Sequence, residues 1–400
     1  MTHRKTVAAI VTEYRPNSHA DVIVGKILEG YHHDGGAGPN LQVVSMYVDQ
    51  FPANDLSRGL AKKHGFTIYD TIAAAVTRGG PRLGVDGVLC IGEHGRYPIN
   101  DRGQIEYPRR RFFEEVARVF EASGRSVPVF NDKHLAYRWS DAKWMYDRAR
   151  ELFVPLLAGS SIPLTWRRPE LKLPLGCELE EAVQLGYGPF EGYGFHALEG
   201  LQCMVERRRG GETGVRAVQC LQGEAMWQAL DQGRWSRTLL DAALALVPAH
   251  AKGDIRVLTA KANDAGLFLI EYRDGLRAAV FLANGWVYEG DGGAFIFAGK
   301  LRGQDRPVAT QFYMQQPKPF AHFAYLVKAI DATIQTGHAA YPVERTLLTT
   351  GVLDAVITSR VERHRRVETP HLDIRYQAVD WPFATDPIPG KAPENRQKMN

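Results

Sequence analysis

Over its first 160 residues the chain alternates short apolar runs with amphipathic stretches, and this rhythm restricts the fold more than any other feature. Residues 6–12 (TVAAIVT), 41–48 (LQVVSMYV), 85–91 (VDGVLCI), 127–130 and 155–158 are rich in Val, Ile and Leu. Their lack of polar alternation predicts strands buried on both faces. Residues 19–31, 56–64, 109–123 and 140–152 carry apolar side chains at helical spacing. In 109–123, Phe112, Phe113, Val116, Val119 and Phe120 fall on one face. Repeated strand–helix units predict a parallel, doubly wound α/β sheet.

The rhythm changes after about residue 165. Residues 215–222, 254–259, 267–273 and 277–283 read as strands with no helix between successive pairs. Asp274-Gly275 between the last two is a hairpin signal. Helices follow over 321–336, ending at Gly337, and over 343–360. This half predicts an α+β domain with a large open, mostly antiparallel sheet. The 400 residues suit about two or three domains. The divisions are a Rossmann-like domain over 1–162, a substrate and oligomerisation domain over 163–380, and a tail over 381–400. The tail is rich in Pro, Lys and Asn, and is predicted to be mobile.

Composition excludes several classes. Hydrophobic residues make up 44% and charged residues 24%, which is globular and not disordered. No apolar run approaches the about 18 residues of a membrane span. The first apolar run lacks a small-residue cleavage site and reads as a strand instead of a signal peptide. The 49 basic and 45 acidic residues leave a net charge of +4, which does not point to nucleic acid. Cys90, Cys177, Cys203 and Cys220 form no CxxC pair. They read as core residues of a protein in a reducing compartment, the cytoplasm.

Four stretches, in this order, carry a family resemblance: VVSMYVDQFPANDLSRGLAKKHGFTIYDTIAAAV, VDGVLCIGEHG, FNDKHLAYRWSDAKWMYDRARELFVPLLAG and FAYLVKAIDATIQTGHAAYPVERTLLTTGVLDAVITSRVE. With them the chain resembles the Gfo/Idh/MocA family of sugar and polyol oxidoreductases. The resemblance implies hydride transfer between a sugar-like substrate and NAD or NADP, with the substrate between two domains. It also implies a homo-oligomer formed through the face of the C-terminal sheet. It brings Lys133 onto the lysine of the family's Glu-Lys-Pro segment and His196 onto its catalytic histidine. The aspartate expected four residues before that histidine is Gly192, so Tyr193 or Glu191 is the candidate partner. Asp49, closing the second strand, takes the place of the acid that binds the adenosine ribose.

The glycine fingerprint that lets a backbone approach pyrophosphate is replaced by Thr12-Glu13-Tyr14-Arg15-Pro16-Asn17. Arg15 and Asn17 are the remaining candidates for phosphate, with Glu93 and His94 on the loop after residue 91 as further cofactor contacts. Tyr193, Trp166 and Arg167 are candidates to line the substrate cleft, since a ring packs on a sugar face and a guanidinium grips an anion. His134, Glu199 and Glu13 offer a divalent metal site, because imidazole and carboxylate suit Zn, Mn or Fe. His196 and Glu199 would share a helix face. The basic run 206–209 reads as a helix C-terminus favoured by cations.

Three functions remain open on these residues. The first is an oxidoreductase of the family type. The second is a redox-independent lyase, hydrolase or isomerase, with or without a metal, that has lost the NAD site. The third is a non-catalytic carbohydrate-binding protein. Each takes a small sugar-like molecule, and none calls for nucleic acid or a membrane.

Overall fold

The protein is described by a computed structural model covering residues 4–389. In the first half, β1 (Lys5–Val11), α1 (His19–Glu29), β2 (Leu41–Val48), α2 (Ser57–His64), β3 (Thr67–Tyr69), α3 (Ile72–Thr77), β4 (Gly87–Ile91), α4 (Arg109–Ser123), β5 (Val129–Asp132), α5 (Trp139–Glu151) and β6 (Leu156–Gly159) follow one another. The strands form a six-stranded sheet in the order β3-β2-β1-β4-β5-β6. Every pairing is parallel. Val7, Ala9 and Val11 pack with Ile23 and Ile27 of α1. Ala8 and Ile10 face Phe112, Phe113 and Val116 of α4. Both faces of β1 are thus covered, which is why its sequence shows no polar alternation.

The second half contains β7 (Trp166–Arg168), β8 (Leu179–Gly186), α6 (Gly192–Val205), β9 (Val215–Leu221), α7 (Glu224–Asp231), α8 (Arg237–Leu244), α9 (Ile255–Lys261), β10 (Gly266–Tyr272), β11 (Arg277–Leu282), β12 (Ile296–Leu301), β13 (Val308–Tyr313), α10 (His322–Thr336), α11 (Glu344–Val361) and β14 (Val367–Glu368). Its eight-stranded sheet runs β14-β9-β10-β11-β8-β12-β13-β7. It is mostly antiparallel, with β8 and β11 parallel. The Asp274-Gly275 turn joins the antiparallel pair β10–β11. No helix among the described residues is long and apolar enough to cross a membrane.

Several sequence expectations change here. The run over 254–259, read as a strand, is helix α9. Asp254 accepts a hydrogen bond from Val257 N–H at 3.1 Å, and this cap outweighs the β-branched residues that follow. Helix α10 lies within the span assigned to the second domain, yet Leu326, Val327 and Ile330 pack into the first domain's core. In the expected mobile tail, Ala384 N–H bonds Leu164 O, and Asp386 O receives Trp166 Nε1 at 2.6 Å. The remainder of that tail, 390–400, lies outside the described residues. The 206–209 run is more than a cationic helix end: Arg208 is buried and bonds Glu212 at 3.0 Å and Asp274 at 2.6 Å.

The sheet face expected to carry an oligomer contact is covered by the chain itself. Register places Phe268, Val280 and Gln184 on one face. A Cβ at Gly194 or Gly200 of α6 would touch Phe268 or Gln184 at 3.4 Å, so α6 covers that face. Phe281 and Leu185, one residue along, point to the other face. There the Phe281 ring meets Trp227 at 5.7 Å and Trp235 at 5.5 Å. The segment holding α7 and α8 therefore seals the second face with buried aromatic side chains, each contributing about 1.5–3 kcal/mol.

Candidate active site

The carboxyl ends of β1, β4 and β5 open on a crevice against α6, where open α/β sheets bind their ligands. A cavity of about 240 Å³ lies there. Its wall includes Asn17, Glu93, His94, Lys133, Tyr193 and His196, six residues singled out from sequence. Nine non-glycine residues among those described have positive φ, and four of them (Asn17, His94, Lys133, Phe320) line this cavity. Such backbone costs about 1–3 kcal/mol per residue and collects at functional sites.

Lys133 follows β5 with φ +62 and its N–H bonds Gly159 O at 3.1 Å. Its Nζ lies 3.2 Å from Glu93 Oε1. The other Glu93 oxygen receives Arg109 Nη2 at 2.5 Å, and Arg109 Nη1 bonds His134 Nε2 at 3.0 Å. Burial by itself would raise the Glu93 carboxyl, but Lys133 and Arg109 hold it well below the usual range. Burial, reinforced by Arg109, keeps the His134 ring neutral. With Nε2 accepting from Arg109, the ring proton belongs on Nδ1, a buried atom with no partner. Beside this row, His19 Nδ1 pairs with Asp132 Oδ2 at 2.6 Å, and His19 N–H donates to His94 Nδ1 at 3.4 Å. Burial, with His19 close by, lowers His94 to about 3.

Across the cavity, His196 Nδ1 lies 2.6 Å from Ser160 Oγ. Ser160 Oγ also accepts from Ile162 N–H at 3.1 Å, which leaves its hydroxyl proton free for the ring. Burial and the nearby Lys133 keep His196 neutral. The partner of His196 is therefore Ser160, and neither sequence candidate takes that part. Glu191 accepts from Ile105 N–H at 2.8 Å, while Tyr193 stands edge-on to the His196 ring at 5.8 Å. At the place of the missing aspartate, a Cβ on Gly192 would lie 3.6 Å from Lys133 Nζ.

Other candidates lie elsewhere. The three residues offered as metal ligands are separated and already engaged. His134 bonds Arg109 behind the cavity. Glu13 bonds Arg15 Nε at 2.5 Å. Glu199 is fully buried and accepts from Ser160 N–H at 3.3 Å, Thr346 Oγ1 at 3.2 Å and Thr349 Oγ1 at 2.9 Å. It packs on Gly159, where a Cβ would approach Glu199 Oε2 to 2.6 Å and φ is +123. Among the described residues no three His, Cys, Asp or Glu side chains are placed to hold a metal ion. Trp166 and Arg167 do not line the cavity either. The indole packs on Tyr325 under the 384–386 segment, and Arg167 bonds Leu171 O at 2.8 Å and stacks on Phe383. The residues missed from sequence are Ser160, Ser161, Arg109, Phe295, Met314, Gln316, His322 and Phe323. Five of these eight lie between residue 295 and the first turn of α10, a stretch whose pattern reads only as ordinary core.

A dinucleotide in this fold requires open backbone N–H groups at the start of α1 and a carboxylate free for ribose. Tyr14, where the fingerprint needs glycine, is 0% exposed and fills core. Asn17 N–H bonds Asp21 Oδ2 at 2.9 Å, Ser18 N–H bonds Arg15 O at 3.0 Å, and Asp21 N–H bonds Ser18 Oγ at 3.3 Å. Arg15 is held by Glu13. Asp49 receives Tyr47 Oη at 2.5 Å, Arg111 Nη2 at 2.6 Å and Tyr97 Oη at 2.7 Å. These residues do not fit a dinucleotide in its usual seat.

The sequence matches no family model and no curated protein. Solved structures match it along nearly its whole length. A scyllo-inositol dehydrogenase from Lactobacillus casei, with bound NAD(H) and scyllo-inositol, is similar over 91% of this chain and 98% of its own, at 10% identity and TM-score 0.55. The WlbA dehydrogenase from Bordetella pertussis, in complex with NADH and UDP-GlcNAcA, is similar over 92% and 99%, at 12% identity and TM-score 0.52. GenD2 from gentamicin A biosynthesis, in complex with NAD, is similar over 92% and 97%, at 15% identity and TM-score 0.56. The chain thus has the two-domain fold of the inositol dehydrogenases and related Gfo/Idh/MocA-type oxidoreductases that its sequence resembles.

Proposed function

We propose that the chain is an enzyme of the Gfo/Idh/MocA oxidoreductase type acting on a sugar, polyol or sugar-derived acid. The observation that carries this reading is the joint placement of Lys133 and His196 in one cavity at the carboxyl edge of the first sheet. Lys133 Nζ, steadied by ionised Glu93, offers N–H donors to a substrate oxygen. His196 is a neutral ring backed by a hydroxyl that donates or accepts. That pairing suits moving the proton of a substrate hydroxyl. Tyr193, Phe295 and Phe323 give the cavity apolar surface for the face of a sugar ring. The similar structures carry NAD or NADH, and the reading extends a nicotinamide cofactor, NAD or NADP, to this chain. The residues at its usual seat do not fit it.

A second reading, a redox-independent lyase, hydrolase or isomerase at the same cavity, is favoured by one observation: the start of α1 satisfies its own N–H groups. The proton-handling pair is common to both readings. The test is a panel of inositols, sugars and sugar acids. Each is followed with NAD or NADP by nicotinamide absorbance, and without either by NMR of the product. Lys133→Met and His196→Asn are expected to lower turnover about 10²–10⁴-fold. Full activity in both variants sinks the assignment.

A further inference from the structure

Residues 93–107, between β4 and α4, do more than connect them. Residues 93–107 cross the top of the first sheet as a narrow ladder of their own. Ile99 pairs with Ile105, Asn100 N–H bonds Gln104 O at 3.0 Å, and Glu106 N–H bonds Pro98 O at 2.9 Å. One end is fastened to the close of β2. Gln50 Nε2 donates to Arg96 O at 2.9 Å, Arg96 N–H donates to Gln50 Oε1 at 2.9 Å, and Tyr97 Oη donates to Asp49 Oδ2 at 2.7 Å. The other end is fastened to the second domain. Arg102 Nη2 bonds Asp354 O and Thr358 Oγ1 of α11, both at 2.8 Å, and Ile105 N–H bonds Glu191 Oε2 at 2.8 Å. Gln104 Nε2 bonds Tyr137 O at 2.5 Å.

We infer that residues 93–107 form a fixed strap that takes the place of the adenosine half of a dinucleotide, with Asp49 as its anchor instead of a ribose ligand. Three observations converge on this. The carboxylate at the end of β2 has every oxygen engaged by Tyr47, Tyr97 and Arg111. The strap is tied to both domains, so admitting an adenosine there means breaking bonds at both ends of it. The strap also carries Glu93 and His94 into the cavity wall, so the same segment that fills the cofactor side builds the substrate side. This inference does not rest on the proposed reaction, because a cofactor that reaches the cavity without adenosine under the strap leaves it intact.

Hydrogen exchange read by mass spectrometry on the whole chain tests it in three states: wild type, wild type with excess NADH, and Tyr97→Phe. Tyr97→Phe removes one bond to a carboxylate while keeping the ring. It is expected to speed exchange of 93–107 about tenfold, with the β1–β4 core unchanged. NADH is expected to leave exchange of 47–50 and 96–107, the part of the strap outside the cavity wall, unchanged, whether or not it supports turnover. A change in either segment on adding NADH shows that the dinucleotide enters under the strap, and overturns the inference. Unaltered exchange in Tyr97→Phe overturns it as well, since the latch would then hold nothing.

Discussion

Replacing Arg109 with Met tests the electrostatics that set up the cavity. Arg109 is 1% exposed, and its two terminal nitrogens hold Glu93 at 2.5 Å and His134 at 3.0 Å. Stripping one partner from a buried ion pair costs about 3–5 kcal/mol when the remaining charge has nothing else. Here Glu93 keeps Lys133 at 3.2 Å. The expected loss is therefore smaller, about 2–4 kcal/mol at pH 7, with each charge-assisted bond contributing about 1.5–3 kcal/mol. The sign of the pH dependence follows from Glu93, whose carboxyl is held below its usual range in the folded chain. Its contribution is present above the unfolded value of about 4.3 and fades as the pH falls through the folded value. Met leaves Lys133 alone to oppose burial, so the folded value rises and the gap between variant and wild type narrows on acidification. Urea unfolding followed by tryptophan fluorescence at pH 7 and pH 4 measures that gap. Equal gaps at the two pH values, or no gap at pH 7, refute the argument that Arg109 acts through charge.

Three further outcomes follow from the same contacts. Burial lowers His94 and His322 to about 3, so the unfolded chain binds protons that the folded one refuses. Stability should fall as the pH drops below about 6.5, and His322→Gln should flatten that slope in melts from pH 7 to pH 5. Ser160→Ala removes the hydrogen-bond partner of the His196 ring and should cut turnover about 10²-fold while the melting temperature moves by only a few degrees; unchanged turnover denies Ser160 its orienting part. Trp227→Ala opens a core cavity against Phe281 and should cost about 3–5 kcal/mol.

The doubly wound sheet was legible because its strands are buried on both faces, and a run such as TVAAIVT has few other uses. Lys133 and His196 were legible through the resemblance, and each does line the cavity. Glu199 was not: its spacing from His196 suggested a shared ligand, but a helix brings it to Ser160 N–H, Thr346 and Thr349, which engage both of its oxygens. Trp166 and Arg167 were misplaced because nothing in the sequence showed that the 384–386 segment returns to cover them. The 254–259 run was misread because a single aspartate cap outweighed the β-branched residues after it.

By itself the sequence determined the two kinds of sheet, the loss of the glycine fingerprint, and a lysine at the end of a parallel strand. All of these are local: periodicity, a missing residue type, a residue at a strand end. Only the tertiary structure decided what those residues meet. Asp49 and Tyr97 are 48 positions apart, and Ser160 and His196 are 36 apart. A hydrogen bond across such a span is set by how strands and straps are laid beside one another. That is why a carboxylate in the place of a ribose ligand serves here as an anchor.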